Sequence, residues 1–275
     1  MKIFVTGGTG FIGGHFLNAV PAQNKIYGLR RRKSRALKEA ANAITWLEKE
    51  LNEVTGADLE GIDVLVHFAS AGVSPQKATW EELYYWNVTC LLTLLRAASS
   101  AGVGRVIVAG SFIEYGLSAN EYEYIPPTAA LLPTTPYAAS KASAFALAHG
   151  FCSTHKLPLI YKRIFSAYGS GQFAGNFWPS LHAAAIRGKD FPMTTGEQVR
   201  DFIPVEEIAR DFVDSLTIEL PDDSVPKVEN ACSGQGISIL EFAKYWWSHW
   251  GAAGQLVPGA IPSRTNEPMR FVGKV

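Results

Sequence analysis

"KIFVTGGTGFIGG", residues 2–14, decides how the chain is read. Its opening, Ile3 to Thr6, is the short β-branched and aromatic run of a buried strand. Gly7, Gly10 and Gly13 follow in G-x-x-G-x-x-G spacing, and an apolar helical pattern continues to about residue 19. Glycines at a strand-to-helix junction permit a tight turn and let backbone N–H groups approach a pyrophosphate at the helix N-terminus. A strand before and a helix after give such spacing its meaning. The stretch predicts a dinucleotide site in which Gly7, Gly10, Phe11, Ile12 and Gly13 meet the ligand.

The same rhythm continues outward. "KIYGLR" (25–30), "DVLVHFA" (63–69), "RVIVAGS" (105–111) and "LPLIYKRI" (157–164) are nearly unbroken apolar runs, and "ITWLEKEL" (44–51) reads as a further strand. Helical patterns lie near 11–19, 79–101 and 136–155. Strand and helix in alternation predict an α/β fold with a doubly wound parallel sheet, a Rossmann domain over residues 1–169. From "GSGQFAGNFWPS" (169–180) onward, shorter elements separated by Gly and Pro predict a smaller substrate lobe over 170–275. "KVENAC" (227–232) is a strand able to return to the sheet. "YWWSHW" (245–250) reads as an amphipathic helix packed on the lobe.

Composition excludes several classes. Lys plus Arg and Asp plus Glu number 25 each, so no polyanion-binding surface is indicated and nucleic acid is not an expected partner. Cys90, Cys152 and Cys232 are far apart, and the six histidines show no ligand spacing, so neither a disulfide framework nor a metal site is expected. No apolar run approaches the roughly 20 residues of a membrane span. A strand beginning at residue 2 leaves no room for a signal peptide, and the cytoplasm is the expected compartment.

The second strand ends where a nucleotide-ribose selector belongs. An acid there hydrogen-bonds the 2′-hydroxyl of NAD, whereas arginine accommodates the 2′-phosphate of NADP. "GLRRRKSR" supplies Arg30, Arg31, Arg32 and Lys33 and no acid. Guanidinium forks match phosphate oxygens, so NADP is the expected cofactor, with NAD the alternative.

"TPYAASKASA" (135–144) opens as a helix, with Thr135 at the N-cap and Pro136 at the first helical position. It sets Tyr137 and Lys141 one turn apart on one face. Together with the glycine turn and "GSFIEYG" (110–116), this pair resembles the extended short-chain dehydrogenase/reductase family, and more narrowly its nucleotide-sugar epimerases, dehydratases and 4-ketoreductases. The resemblance runs from residue 1 to about 270. It implies that Tyr137 is the general acid/base, that Lys141 binds the nicotinamide ribose and holds the phenol's pKa down, and that Ser111 hydrogen-bonds the reacting oxygen. A phenol near pKa ~10 must fall by roughly three units to work at neutral pH, about 4 kcal/mol of differential stabilisation.

The resemblance extends to other segments. "HFASAG" (67–72) places Phe68, Ala69 and Ser70 against the cofactor, with His67 a satisfied core histidine. Asn87 matches an asparagine bracing the active-site strands and is grouped with the cofactor residues. "KRIFSAYGSGQ" (162–172) puts Ile164 and Phe165 on the cofactor side. For a nucleotide-diphosphate sugar, Asn176, Arg200 and Arg264 are implied on the diphosphate and Glu267 on a ribose. Two helical stretches, 79–101 and 136–155, resemble those of a four-helix homodimer interface. The match also departs from its pattern. Phe112 and Ile113 stand where the dehydratases carry Asp-Glu, so dehydration is not expected, and Ser166 replaces an asparagine beside the sugar. The expected reaction is NADPH-dependent reduction of a nucleotide-linked 4-keto-6-deoxyhexose. The alternatives are a 4-epimerase with tightly held NAD and a non-catalytic NADP-binding sensor or scaffold.

Overall fold

The computed structural model describes residues 1–32, 43–73, 78–220, 225–262 and 267–275. Lys33 and Arg264 lie outside these residues. Strand β1 (Lys2–Thr6) leads through the glycine turn into helix α1 (Phe11–Ala19), then β2 (Lys25–Arg30) and β3 (Ile44–Glu48). Strand β4 (Val64–His67) is followed by α2 (Trp80–Tyr84), a wider π-helical turn over Tyr85–Thr89, and α3 (Cys90–Ser100). Next come β5 (Arg105–Ser111), α4 (Pro136–His155) and β6 (Leu159–Ile164). The helical stretch read as continuous over 79–101 is thus three segments, with the wide turn in the middle.

These strands form one seven-stranded sheet in the order β10-β6-β5-β4-β1-β2-β3, where β10 is Lys227–Ala231 and every pairing is parallel. This is the doubly wound sheet the alternation predicted. The strands are apolar on both faces because both are covered. On β5, Val106 and Val108 face Leu91, Leu94, Leu95, Ala144 and Ala148, whereas Ile107 and Ala109 face the opposite layer with Phe16, Leu17, Ile208 and Phe212. Each such large side chain contributes about 1.5–3 kcal/mol when fully buried. Sequential strands run outward from β1 to β3 and then resume on its other side at β4. That reversal opens a crevice at the carboxyl ends of β1 and β4.

Helix α4 illustrates local sequence control. Thr135 caps it through its side chain, accepting from the Ala138 N–H at 3.2 Å, and Pro136 occupies the first turn. Its buried face, Ala138, Lys141, Ala144, Ala148 and Cys152, is mostly small, so the helix sits close on the sheet. It ends at Lys156 in the left-handed conformation, φ 51°.

After β6 the chain builds β7 (Ser166–Tyr168), α5 (Phe177–Ile186), β8 (Phe191–Met193), β9 (Val199–Pro204) and α6 (Val205–Asp214). Past β10 it adds β11 (Gly236–Ser238), α7 (Ile239–His249), β12 (Leu256–Pro258) and β13 (Arg270–Phe271). Strand β9 pairs with β7, β11 and β13, and β8 pairs with β12. Two late elements belong to the large sheet's layers: β10 pairs with β6, and Ile208 and Phe212 of α6 join the core beneath α1. The aromatic run at 245–250 falls at the end of α7, where Trp247 is buried and Tyr245 exposed. Asp201, fully buried on β9, accepts from Ser233 N, Ser233 Oγ, Gly234 N and Gly273 N at 2.6–3.2 Å. Ile125 exchanges backbone hydrogen bonds with Val272 and Lys274, so the segment 270–274 is fastened from two sides.

Candidate active site

A cleft of about 1660 Å³ runs along the carboxyl edge of the sheet and continues between it and the smaller elements. Its first end is the glycine turn. Gly7 takes φ +72°, and a Cβ there would lie 2.5 Å from the Ala69 backbone nitrogen; one on Gly13 would lie 2.3 Å from the Gly7 carbonyl oxygen. No larger residue fits this junction. Gly10 caps α1 without any side-chain hydrogen bond, so first-turn N–H groups face the cleft unclaimed by a side chain. Gly7, Gly10, Phe11, Ile12 and Gly13 all line it. A pyrophosphate fits such a cradle.

At the second strand's end, Arg30 and Arg31 border the cleft, but Arg32 is exposed and does not line it. The register sets Arg30 opposite Glu48 of β3, and the two form an ion pair. The Arg30 guanidinium also lies 5.7 Å over the Trp46 ring. Reading β2 alone showed no acid here. The neighbouring strand supplies one, and only the β2–β3 register reveals it. Lys49, Glu50 and Leu51 extend this wall and were likewise not singled out.

Phe68, Ala69 and Ser70 line the next stretch. Behind them His67 is 3% exposed and pairs through Nδ1 with Thr6 Oγ1 at 2.7 Å. Burial, and then the Lys141 charge, lower its pKa to about 3, so it is a neutral core histidine. Asn87, 2% exposed, does not line the cleft. Its Oδ1 accepts from Ala71 N at 2.7 Å and Ser70 Oγ at 3.1 Å, and its Nδ2 donates to Ala71 O at 3.2 Å and Ser140 Oγ at 3.0 Å. With its amide fully engaged, Asn87 ties the loop after β4 to α4 and has no group left for a cofactor.

The three residues expected to carry the chemistry meet at the middle of the cleft. Ser111 ends β5, and Tyr137 and Lys141 project from α4, all three lining the cleft. Lys141 is 5% exposed and donates from Nζ to the Ala109 carbonyl at 2.7 Å. The phenol departs from the sequence expectation. Burial pushes the Tyr137 pKa up to about 12, the Ser70 side chain pulls it down, and the Glu114 charge raises it further. Lys141 spends its ammonium on Ala109, and its own pKa is lowered by burial, with Glu114 opposing. Ile164 and Phe165 stand opposite. Phe112 stacks on Phe165 at 5.4 Å and meets Phe271 edge-on at 4.9 Å, making an apolar wall beside Ser111.

Beneath this centre lies a charged network that sequence reading did not single out. Glu114 is fully buried; Oε1 accepts from Ser111 N and Tyr161 OH, both at 2.8 Å, and Oε2 accepts from Arg163 Nε at 2.7 Å.

At the far end, Asn176 lines the cleft at the N-cap of α5, where its side chain makes no capping hydrogen bond. Arg200 and Glu267 are brought together: Arg200 Nη2 donates to Glu267 Oε1 at 2.7 Å. They share one wall as an ion pair. Gln198 Oε1 and Trp178 Nε1 also reach this end, buried and without a protein partner among the described residues. Convergent unpaired polar atoms in an aromatic cleft are the mark of a ligand site. No described group of His, Cys, Asp and Glu is arranged to hold a metal, and no described helix is long and apolar enough to cross a membrane.

Residues 3–220 match the NAD dependent epimerase/dehydratase family. The chain is 28% identical to a UDP-glucose 4-epimerase of Erwinia amylovora, over 89% of this chain and 81% of the relative. Among solved structures it resembles MoeE5 in complex with UDP-glucuronic acid and NAD, with TM-score 0.87 and 25% identity, over all of this chain and 90% of that one. It also resembles TunA, an NAD-dependent NDP-hexosamine 5,6-dehydratase, with TM-score 0.83 and 26% identity, over all of this chain and 89% of that one. The chain belongs to the NAD-dependent epimerase/dehydratase family of nucleotide-sugar enzymes, within the extended short-chain dehydrogenase/reductase group.

Proposed function

We propose that the enzyme reduces the 4-keto group of a nucleotide-linked 6-deoxyhexose with NADPH. One observation carries this reading. Proton-transfer and carbonyl-binding groups, Tyr137 and Ser111, sit in the cleft beside an apolar wall built on Phe112, with no acid–base pair following Ser111. The bound cofactor supplies the hydride. Gly7, Gly10 and the first turn of α1 hold its pyrophosphate, Arg30 and Arg31 its adenosine ribose, and Lys141 its nicotinamide ribose. Ser111 fixes the reacting oxygen and Tyr137 gives it a proton. A phenol kept protonated by burial is suited to donation. Asn176 and Arg200 hold the diphosphate, Glu267 faces a ribose, and residues from 170 onward other than α6 and β10 serve as the substrate lobe. Anchoring the remote diphosphate orients carbon 4 at the reacting centre.

The Arg30–Glu48 pair favours a second reading, a 4-epimerase holding NAD, because it puts a carboxylate beside the selector position. One assay separates them. Incubation with NADPH and a panel of nucleotide 4-keto-6-deoxysugars should deplete nicotinamide absorbance. Tightly bound NAD together with interconversion of a sugar nucleotide, and no NADPH loss across the panel, would establish the epimerase instead. We also propose a homodimer through the α2–α3 and α4 faces, where Trp80, Tyr84 and Tyr85 stand exposed. Light scattering that returns a monomer mass would refute it.

A further inference from the structure

We propose that Glu114 is a positioning residue of the reaction centre: its buried carboxyl fixes Ser111 from beneath and, through Tyr161, meets the helix that carries Tyr137 and Lys141. The sign of its benefit rests on the reduction reading above. The geometry is specific. Glu114 occupies the short 3-10 turn directly after β5. Its carboxyl receives three donors, from the Ser111 backbone, the Tyr161 hydroxyl and the Arg163 guanidinium; burial raises its pKa, and the Arg163 and Lys141 charges with these donors oppose that rise and favour the anion. It lies close under the strand: a Cβ on Gly110 would come 2.9 Å from Glu114 Oε1 and 2.3 Å from the Tyr161 ring. Residue 110 must therefore be glycine for this carboxylate to reach the Ser111 N–H.

The titratable and charged groups near the phenol come from four elements. From α4 come Tyr137 itself and Lys141; from β4 comes His67, neutral; from β6 come Tyr161 and Arg163; from the turn after β5 come Glu114 and Tyr115. Glu114 is the anion in this set. Arg163 is 1% exposed and is held by its bond to Glu114, by donation to Pro127 O at 3.0 Å, and by the rings of Tyr115 at 4.9 Å and of Phe145, on α4 itself, at 4.2 Å. Its charge is thus spent on Glu114 and the ring faces. Tyr161 OH, bonded to Glu114, also stands 3.4 Å from the Lys141 carbonyl, so the network touches the helix that carries the catalytic pair. The carboxylate raises the Tyr137 pKa, in the same direction as burial. For an enzyme that must present a protonated acid to a carbonyl oxygen, that is the useful direction.

The test is a pH profile. Glu114→Gln keeps an acceptor for the Ser111 N–H and removes only the charge. The alkaline limb of the reduction rate, where Tyr137 loses its proton, should move to lower pH by about one unit. Glu114→Asp keeps the charge and should leave the limb in place while lowering the maximal rate through Ser111. A lone buried guanidinium can unfold the Gln variant. The pair Glu114→Gln with Arg163→Gln removes both charges and should show the same displacement. Phenolate ultraviolet absorbance, taken as the difference between each background and its Tyr137→Phe partner, reads the same ionisation without turnover. A limb and a phenolate titration that stay put in both charge-free variants would overturn the proposal. If the protein epimerises instead, the phenolate is the form that takes the substrate proton, so the same ionisation appears as the acid limb and still moves to lower pH in the charge-free variants. The reduction reading would then fail on its own.

Discussion

Asn87→Ala should damage the cofactor site although Asn87 never faces it. The substitution deletes four hydrogen bonds, at 2.7, 3.1, 3.2 and 3.0 Å, and leaves the Ala71 N–H without its partner, while the Ala71 carbonyl keeps the Ser70 hydroxyl at 3.3 Å. Ser140 keeps its bond to the Tyr137 carbonyl at 2.8 Å, so its hydroxyl is not orphaned. Hydrogen bonds contribute about 0.5–1.5 kcal/mol each, and unpaired buried groups cost about 1–3 kcal/mol. Ala71 lies at the cleft, where water can reach it, which keeps the sum near the lower end. The expected loss is about 2–3 kcal/mol. For a chain of this size, that lowers the melting temperature by roughly 5–10 °C. Released from α4, the Ser70–Ala71 loop no longer holds its place in the wall, and dinucleotide affinity should fall about tenfold, a further 1.4 kcal/mol. Thermal melting followed by circular dichroism, with fluorescence titration of NADPH and NAD, measures both. A melting temperature within about 1 °C of the parent, with unchanged affinity, would refute the account of Asn87 as the tie between loop and helix.

Other expectations follow from the same geometry. Titration should show NADPH binding at least about tenfold tighter than NADH, and Arg30→Ala with Arg31→Ala should close most of that gap; equal affinities in the parent would refute the selector. Tyr137→Phe should lower turnover by about 10² or more while leaving cofactor binding intact, and near-normal turnover would remove Tyr137 from the mechanism. His67 is neutral when folded, with its pKa depressed to about 3 against 6.5 when free. Its contribution is complete above pH 6.5 and is lost as pH falls toward 3, at up to about 1.4 kcal/mol per pH unit. Urea unfolding between pH 7 and 4 should show this slope, and His67→Gln should flatten it. Glu229 adds to acid lability at lower pH: burial raises its pKa, but Lys227 and Lys162 outweigh burial and hold it below 4.5, so its stabilisation is lost as pH falls below that value.

Local signals carried the fold. The glycine turn, the unbroken strands and the cap at Thr135 are each specified by residues a few positions apart, and they stand where the sequence placed them. The α4 pair was equally legible, because helix spacing alone sets Tyr137 and Lys141 on one face. What escaped notice depends on partners distant in the chain. Arg30 meets Glu48 only through the register of two strands, and Arg200 meets Glu267 across 67 positions. Glu114 was visible inside "GSFIEYG", but its meaning needs Arg163 and Tyr161 from another strand. Lys141 was expected to act on the phenol. Its length also lets it reach the Ala109 carbonyl, a choice that residue types do not disclose.

The clasp at Asp201 has a consequence for how the protein is made. The glycine turn, Ser111 and the Tyr137–Lys141 pair are all present by Ile164, but their sheet then still lacks β10 beside β6, and the layer over α1 still lacks Ile208 and Phe212 of α6. The aromatic wall beside Ser111 waits longer still. Phe112 rests on Phe271, and Phe271 is fixed by its pairing with Arg200 of β9 and by the bonds of residues 272–274 to Ile125 and Asp201. Contacts between positions 112 and 271 are among the most distant in the chain and among the slowest to close. The wall beside Ser111 therefore closes through contacts far longer in sequence than those that pair β1, β4 and β5, and it is the later of the two to form.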